Sequence, residues 1–275
     1  MKRPPWRVAL ASTIGTSHIG SGTPCQDSAV HRQLKTESGP VMVVVVSDGA
    51  GSAAYSDVGS GLATETLLEL IAHYFENDGR LERIDRQQAI AWVNETAEAL
   101  IARAKENGHS VRDYACTVLG AIVGEKSAAF LQIGDGAIVV KAHREEGWTY
   151  VFWPQHGEFA NTTNFIISPN VLDIMEFDHT GGELDEFAMF SDGIEKLVLH
   201  EASKSVHDPF FDAIFPPVRA SAAIGLDRKL SEGLEKYLGS PKICERTDDD
   251  KTLVLATRRP WEPTVIQPDV ETKSA

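Results

Sequence analysis

Three times in this sequence an aspartate-glycine pair ends an apolar run: Asp48-Gly49 after VMVVVVS, Asp135-Gly136 after FLQIG, and Asp192-Gly193 after EFAMFS. A further acidic group, Asp248-Asp249-Asp250, stands just before the run TLVLA, and Asp27 precedes another short run. Any one Asp-Gly reads as a turn, because Asp bonds its own backbone and Gly supplies positive φ. Several carboxylates at strand ends mean more if those strands share an edge. Like charges held close are costly unless a cation neutralises them. An all-oxygen ligand set selects hard ions, Mn²⁺ or Mg²⁺ over zinc. Two such ions can bridge a water, lower its pKa and clamp a phosphoryl group for in-line attack.

The elements that must position these residues are legible in outline. Arg7 to Thr13, Ala29 to Leu34 and Val41 to Ser47 read as strands. The last is β-branched and continuous, as expected when both faces are covered. Gly15 to Pro24 reads as a loop. Two helices follow, with apolar positions from Val58 to Tyr74 and from Ile90 to Ala104 at helical spacing. Cys116 to Val123, Ser127 to Ile133, Ala137 to Ala142 and Thr149 to Trp153 are strand-like, with short gaps that suit hairpins. Asp173 to Phe177 and Glu186 to Ser191 read as strands, Ala220 to Leu238 as a helix and Thr252 to Ala256 as a last strand. Strands and helices are segregated, which argues for an α+β domain of antiparallel sheets covered by helices. Residues 1–257 read as one domain and 258–275 as a loosely ordered tail rich in proline and polar residues.

Composition narrows the function classes. The chain has 275 residues and a formal net charge of -14. Such acidity disfavours nonspecific nucleic-acid binding, although bound cations can reverse the field locally for a phosphorylated substrate. The three cysteines, Cys25, Cys116 and Cys244, are far apart and form no CxxC pair, so a reduced, cytoplasmic setting is expected. The start MKRPPWRVALAS lacks the apolar core of a signal peptide, and Val41 to Val46 is too short to span a bilayer.

The ordered set QDS (Gln26 to Ser28), SDGAGS (Ser47 to Ser52), CT (Cys116 and Thr117), IGDG (Ile133 to Gly136), FSDGI (Phe190 to Ile194) and DDKT (Asp249 to Thr252) resembles the motif series of the protein phosphatase 2C family. Each motif is weak alone, but six in order are a strong signal. GTSH, TPCQDS and SDGAGSAAYSD look like a bacterial branch. The resemblance implies a four-layer α-β-β-α sandwich of two antiparallel sheets flanked by helices. At one end it implies a centre for two Mn²⁺ or Mg²⁺ ions that hydrolyses phosphoserine or phosphothreonine through a metal-bridged water. By that likeness Asp48 would bridge both ions, and the Gly49 carbonyl would bind one. Asp192 and Asp249 would bind the other. Asp27 and Asp250 would orient ligands or waters, and Asp135 would serve a third, weaker ion. Phosphorylated proteins would be the substrates, and a cognate Ser/Thr kinase the partner, with no nucleic acid and no membrane involved.

Several positions depart from the family pattern. Gln26 stands where Glu is usual, and can hold a metal-bound water but adds no charge. The arginine that often grips substrate phosphate is replaced within GSGTP by a small residue. His18 is the nearest substitute, with a loop histidine in a structural hydrogen bond as the equal alternative. Ala50 replaces a histidine found in some relatives. Lys196 stands where a third-metal aspartate often lies, with Glu195 beside it. The polar stretch 156–166 reads as a connector or as a substrate-side flap offering Glu158, Asn161 and Thr162.

Two other function classes remain open on the sequence. Gly49-Ala50-Gly51-Ser52-Ala53-Ala54 fits the GxGxxA of a dinucleotide-binding turn, but Asp48 would repel a pyrophosphate there. The same fold could also act as a catalytically weak binding or regulatory module, a reading that Gln26 motivates and the clustered aspartates oppose. GxSxG, GxxxxGK[ST] and HExxH motifs are absent.

Overall fold

The side chains of Val41 to Val46 divide between two cores, and that division sets the layering. In the computed structural model, which describes residues 4–155 and 163–259, Val41, Val43 and Val45 face a helix layer. Met42, Val44 and Val46 of the same strand face a second sheet. Successive side chains of a strand point to opposite faces, so an unbroken apolar run suits a strand covered on both sides.

In chain order the strands are β1 (Arg7–Thr13), β2 (Ser28–Thr36), β3 (Gly39–Ser47), β4 (Val118–Val123), β5 (Ser127–Ile133), β6 (Ala137–Ala142), β7 (Thr149–Tyr150), β8 (Glu176–Gly181), β9 (Leu184–Phe190), β10 (Leu199–His200), β11 (Ser205–Val206), β12 (Gly225–Leu226) and β13 (Lys251–Thr257). The helices are α1 (Thr16–Ser21), α2 (Ser56–Glu76), α3 (Arg86–Asn107), α4 (Val171–Ile174), α5 (Glu195–Val198), α6 (Asp208–Ala220), α7 (Arg228–Leu238) and α8 (Pro241–Cys244). One sheet runs β12-β1-β13-β9-β6-β7 and the other β2-β3-β4-β5-β8. All pairings in them are antiparallel except the short β1–β12 contact.

Three apolar layers hold the stack together. One lies between β3, β4 and helices α2 and α3, around Leu67, Ile71, Trp92 and Leu100. The second lies between the sheets, around Met42, Phe130, Phe187 and Val254. The third packs Phe211 and Phe215 of α6 and Leu234 and Leu238 of α7 against Ala9, Leu253 and Leu255. The result is the expected α-β-β-α sandwich. The dinucleotide reading fails here, because the strand after α2 and α3, β4, pairs antiparallel with β3, whereas a βαβ crossover needs a parallel neighbour.

Most expected elements recur within a few residues, and the exceptions have local causes. The 15–24 loop contains α1, closed by Gly22 at φ 73°. Asp173 lies in the turn α4, and the strand starts after it at Glu176. Of the helix expected over 220–238 only α7, from Arg228, is helical; β12 occupies part of the stretch before it, and a helix not expected, α6, ends at Ala220. Pro216 and Pro217 obscure α6 in the sequence, since proline removes a helical donor. The helix persists because Phe211, Phe215 and Val218 are buried against the sheet. Residues 260–275, most of the expected tail, lie outside the described residues, as do Glu158, Asn161 and Thr162. Among the described residues, no helix is long and apolar enough to cross a membrane.

Candidate metal centre

Each aspartate singled out in the sequence leaves or enters a strand at the same end of the sandwich. Asp48 follows β3, Asp135 follows β5, Asp192 follows β9, and Asp249 and Asp250 precede β13. Both sheets therefore contribute carboxylates to one edge. An open cleft of about 340 Å³ there is lined by Asp48, Gly49, Thr117, Asp135, Asp192 and Asp249 among others.

Backbone clamps fix these segments. Thr117 holds Asp48 from both sides: Asp48 N donates to Thr117 Oγ1 (2.9 Å), and Thr117 N donates to Asp48 O (2.8 Å). Gly49 N donates to Gln26 O (3.1 Å), and Ser60 Oγ donates to the same carbonyl (2.5 Å). A side chain at Gly49 would meet Ser56 O and Gln26 O within 2.8 Å, so only glycine fits. The serine of each SDG motif is structural. Ser47 Oγ donates to Thr117 O (2.5 Å), and Ser191 Oγ donates to Asp27 Oδ2 (2.7 Å) while accepting from Thr252 N (3.0 Å). Sequence reasoning gave Ser60, Thr117 and Ser191 no role; the CT motif for Thr117 and the repeated SDG for Ser191 were the available signals.

The acidic residues differ in what they do. Asp250 is buried, and its carboxylate accepts from Gly15 N (2.6 Å) and Gln26 N (2.5 Å). It ties the α1 loop and the Gln26 segment to β13. His18 Nδ1 lies 2.9 Å from Asp250 Oδ2. His18 thus faces that carboxylate and is not among the residues lining the cleft. Asp135 accepts from Thr163 Oγ1 (2.6 Å), which anchors the chain where it returns after residue 162. Asp249 is exposed on the cleft rim and its Oδ1 accepts from Asp250 N (2.8 Å). Lys251 is fully buried, with Nζ donating to Asp249 O (2.8 Å).

The remaining carboxylates repel one another. Burial raises Asp48 well above the ordinary carboxylate range, and the charges of Asp27, Asp192 and Asp135 add to it. Asp192 is pushed up to about 7 by burial, then by Asp135, partly offset by hydrogen bonding with Asp48. Asp27 also rises to about 7 through burial, against the pull of Ser191 and Thr252. Such a cluster calls for a cation. Gln26 Oε1 and Asp192 Oδ1 are buried acceptors without a hydrogen-bond partner, as oxygens awaiting an ion would be. Among the described residues, no three His, Cys, Asp or Glu side chains form a complete metal-holding group. An ion here would therefore take few protein side chains and fill its shell with backbone oxygen and water, as Mg²⁺ commonly does. The donor set is all oxygen, and it fits a hard divalent ion.

Comparison with known proteins agrees with this geometry. The family model described as protein phosphatase 2C matches residues 14–238. Serine/threonine-protein phosphatase 3 of Escherichia coli (strain K12) is 38% identical over 253 residues, covering 91% of this chain and 98% of that protein. A crystal structure of a bacterial serine phosphatase superposes with a TM-score of 0.58 at 16% identity, covering 93% of this chain and 99% of that one. The catalytic domain of the serine threonine protein phosphatase PstP, solved in complex with 2 manganese ions, gives a TM-score of 0.58 at 16% identity, covering 92% and 98%.

Proposed function

The chain belongs to the protein phosphatase 2C family of metal-dependent serine/threonine protein phosphatases, and we propose that its cleft at Asp48 and Asp192 is where phosphate is released from phosphoserine and phosphothreonine. The observation that carries the assignment of the site is the meeting of Asp48, Asp135 and Asp192, from both sheets, around one open cleft, where burial and then neighbouring charge raise the carboxyls of Asp48 and Asp192.

Asp48, the Gly49 carbonyl, Asp192 and Asp249 would hold two divalent ions, Mn²⁺ or Mg²⁺. When bound, such ions polarise a phosphoryl oxygen and make water a stronger nucleophile at neutral pH. The protein's own part is positional. Thr117 fixes the direction in which Asp48 leaves β3. Asp250 and Ser60 hold the Gln26 backbone, which in turn holds Gly49. Asp27, through Ser191, braces the turn that presents Asp192. Rigid support of this kind keeps ligand oxygens at fixed separation. Asp135 would serve a third, weaker ion, with Lys196 and Glu195 replacing the charge pattern that a stronger site would need.

The substrates would be phosphorylated proteins, with a Ser/Thr kinase as the enzyme that supplies them. The three free cysteines suit a reducing compartment such as the cytoplasm. The uncharged amide at Gln26 favours a second reading, a phosphatase-fold module of weak turnover. Phosphate release from a phosphothreonine peptide separates the two. Turnover that needs Mn²⁺, stops with EDTA and is lost in Asp192→Asn supports the enzyme. Release no faster than in that variant, with Mn²⁺ still bound, supports the module.

A further inference from the structure

Two chambers meet at the metal cleft. The first, of about 340 Å³, is walled by Gly49, Ala50, Gly51, Ser52 and Phe165 and has no basic side chain among its described lining residues. The second, of about 440 Å³, shares Asp135, Thr163, Asp192 and Asp249 with it and adds Lys196 and Arg246. These are its only basic lining residues among those described.

On the phosphatase reading, we propose that Arg246 and Lys196 form an anion subsite that takes a carboxylate or phosphate group of the phosphoprotein substrate. Both residues are exposed, and neither side chain makes a hydrogen bond or ion pair with a described residue. Other cations of the chain are paired, such as Arg32 with Glu69, Lys204 with Glu201 and Arg219 with Glu186. Acidic residues outnumber basic ones 40 to 26 in this chain, so two unpaired cations beside its acidic cluster are free to meet an anion from outside.

Both are also rigidly tied to the cleft. Lys196 lies in α5, directly after the turn Asp192–Ile194. Arg246 follows α8, with its N donating to Ile243 O (2.9 Å), and leads into Asp249. A substrate whose phosphate sits at the shared aspartates would thus lay a neighbouring group against the two cations. A guanidinium offers a fork of donors matched to carboxylate or phosphate oxygens, and an ammonium adds a point charge. Glu195 and Asp248 line the same chamber, so a basic neighbour on the substrate has partners there too, and the experiment must decide between them.

The test measures KM and kcat with Mn²⁺ for phosphothreonine peptides that differ only in having Glu, Gln or Lys beside the phosphorylated residue. p-Nitrophenyl phosphate, with no flanking group, runs in parallel. The wild type is expected to show a KM about tenfold lower for the Glu peptide than for the Gln peptide. Arg246→Gln with Lys196→Gln is expected to erase that difference, with thermal unfolding recorded to exclude a folding defect. A KM rise confined to the Glu peptide identifies a flanking carboxylate as the ligand. A rise shared by p-nitrophenyl phosphate identifies the scissile phosphate itself. Equal KM values for wild type and double variant on every substrate, or a wild-type preference for Lys, would overturn the subsite. Absence of wild-type turnover on all substrates would instead defeat the phosphatase reading on which it rests.

Discussion

Asp250→Asn preserves the shape of a buried side chain and removes one of its functions. The carboxylate accepts two backbone N–H groups, from Gly15 on Oδ1 and from Gln26 on Oδ2. An asparagine can satisfy one of them; its NH₂ then faces the other. One hydrogen bond to a charged group is lost, at about 1.5–3 kcal/mol, and a buried N–H is left unsatisfied, at about 1–3 kcal/mol. Opposing this, Asp250 repels Asp27, so removing its charge relieves part of the strain in the cluster. The net expectation is a loss of roughly 2–4 kcal/mol, or a fall in Tm of about 5–10 °C for a domain of this size. The damage should also reach the cleft, because Gln26 O receives Gly49 N. Misplacing such a support typically costs about 10–100-fold in metal affinity or activity. Urea unfolding with EDTA gives the first quantity, and Mn²⁺-dependent turnover the second. A variant within about 0.5 kcal/mol of wild type would refute the claim that Asp250 ties these loops.

Without metal, stability should fall as pH rises from about 4 to about 7. The folded Asp27 and Asp192 keep protons to about 7 while the unfolded chain releases them near 3.8, so the unfolded state binds fewer protons in that window. Saturating Mn²⁺ should flatten the slope, which denaturant midpoints across that range will read. Gly193→Ala places a Cβ 1.8 Å from Asp250 O, where both backbones are fixed, and should cost about 3 kcal/mol or more in thermal unfolding or abolish soluble yield. Arg219→Met strands the fully buried Glu186, which Arg219 grips through Nε (2.8 Å) and Nη2 (2.6 Å). Urea unfolding should show a loss of roughly 3–5 kcal/mol, much of it recovered in the double variant Glu186→Gln, Arg219→Met.

The sequence carried the parts of this fold that depend on local pattern. The unbroken valines of β3 announced a strand covered on both faces, and the core assignments of alternate residues bear that out. The repeated Asp-Gly at strand ends marked the corners that meet at the cleft. What it could not carry is set by contacts between distant segments. Nothing near Ser60 reveals that its hydroxyl supports Gln26, 34 residues away, or that Ser191 braces Asp27 across 164 residues. Helix α6 was hidden because its prolines outweigh local propensity, while the aromatic burial that sustains it is tertiary. Nor does anything near His18 reveal that α1 sets it beside Asp250.

The central claim is that Asp48 and Asp192 hold the ions on which hydrolysis depends. The most direct measurement is a calorimetric Mn²⁺ titration of wild type, Asp48→Asn and Asp192→Asn, paired with p-nitrophenyl phosphate turnover on the same samples. Each variant should stay folded, bind Mn²⁺ at least about tenfold more weakly and lose turnover in proportion. Wild-type Mn²⁺ affinity and turnover in both variants would contradict it.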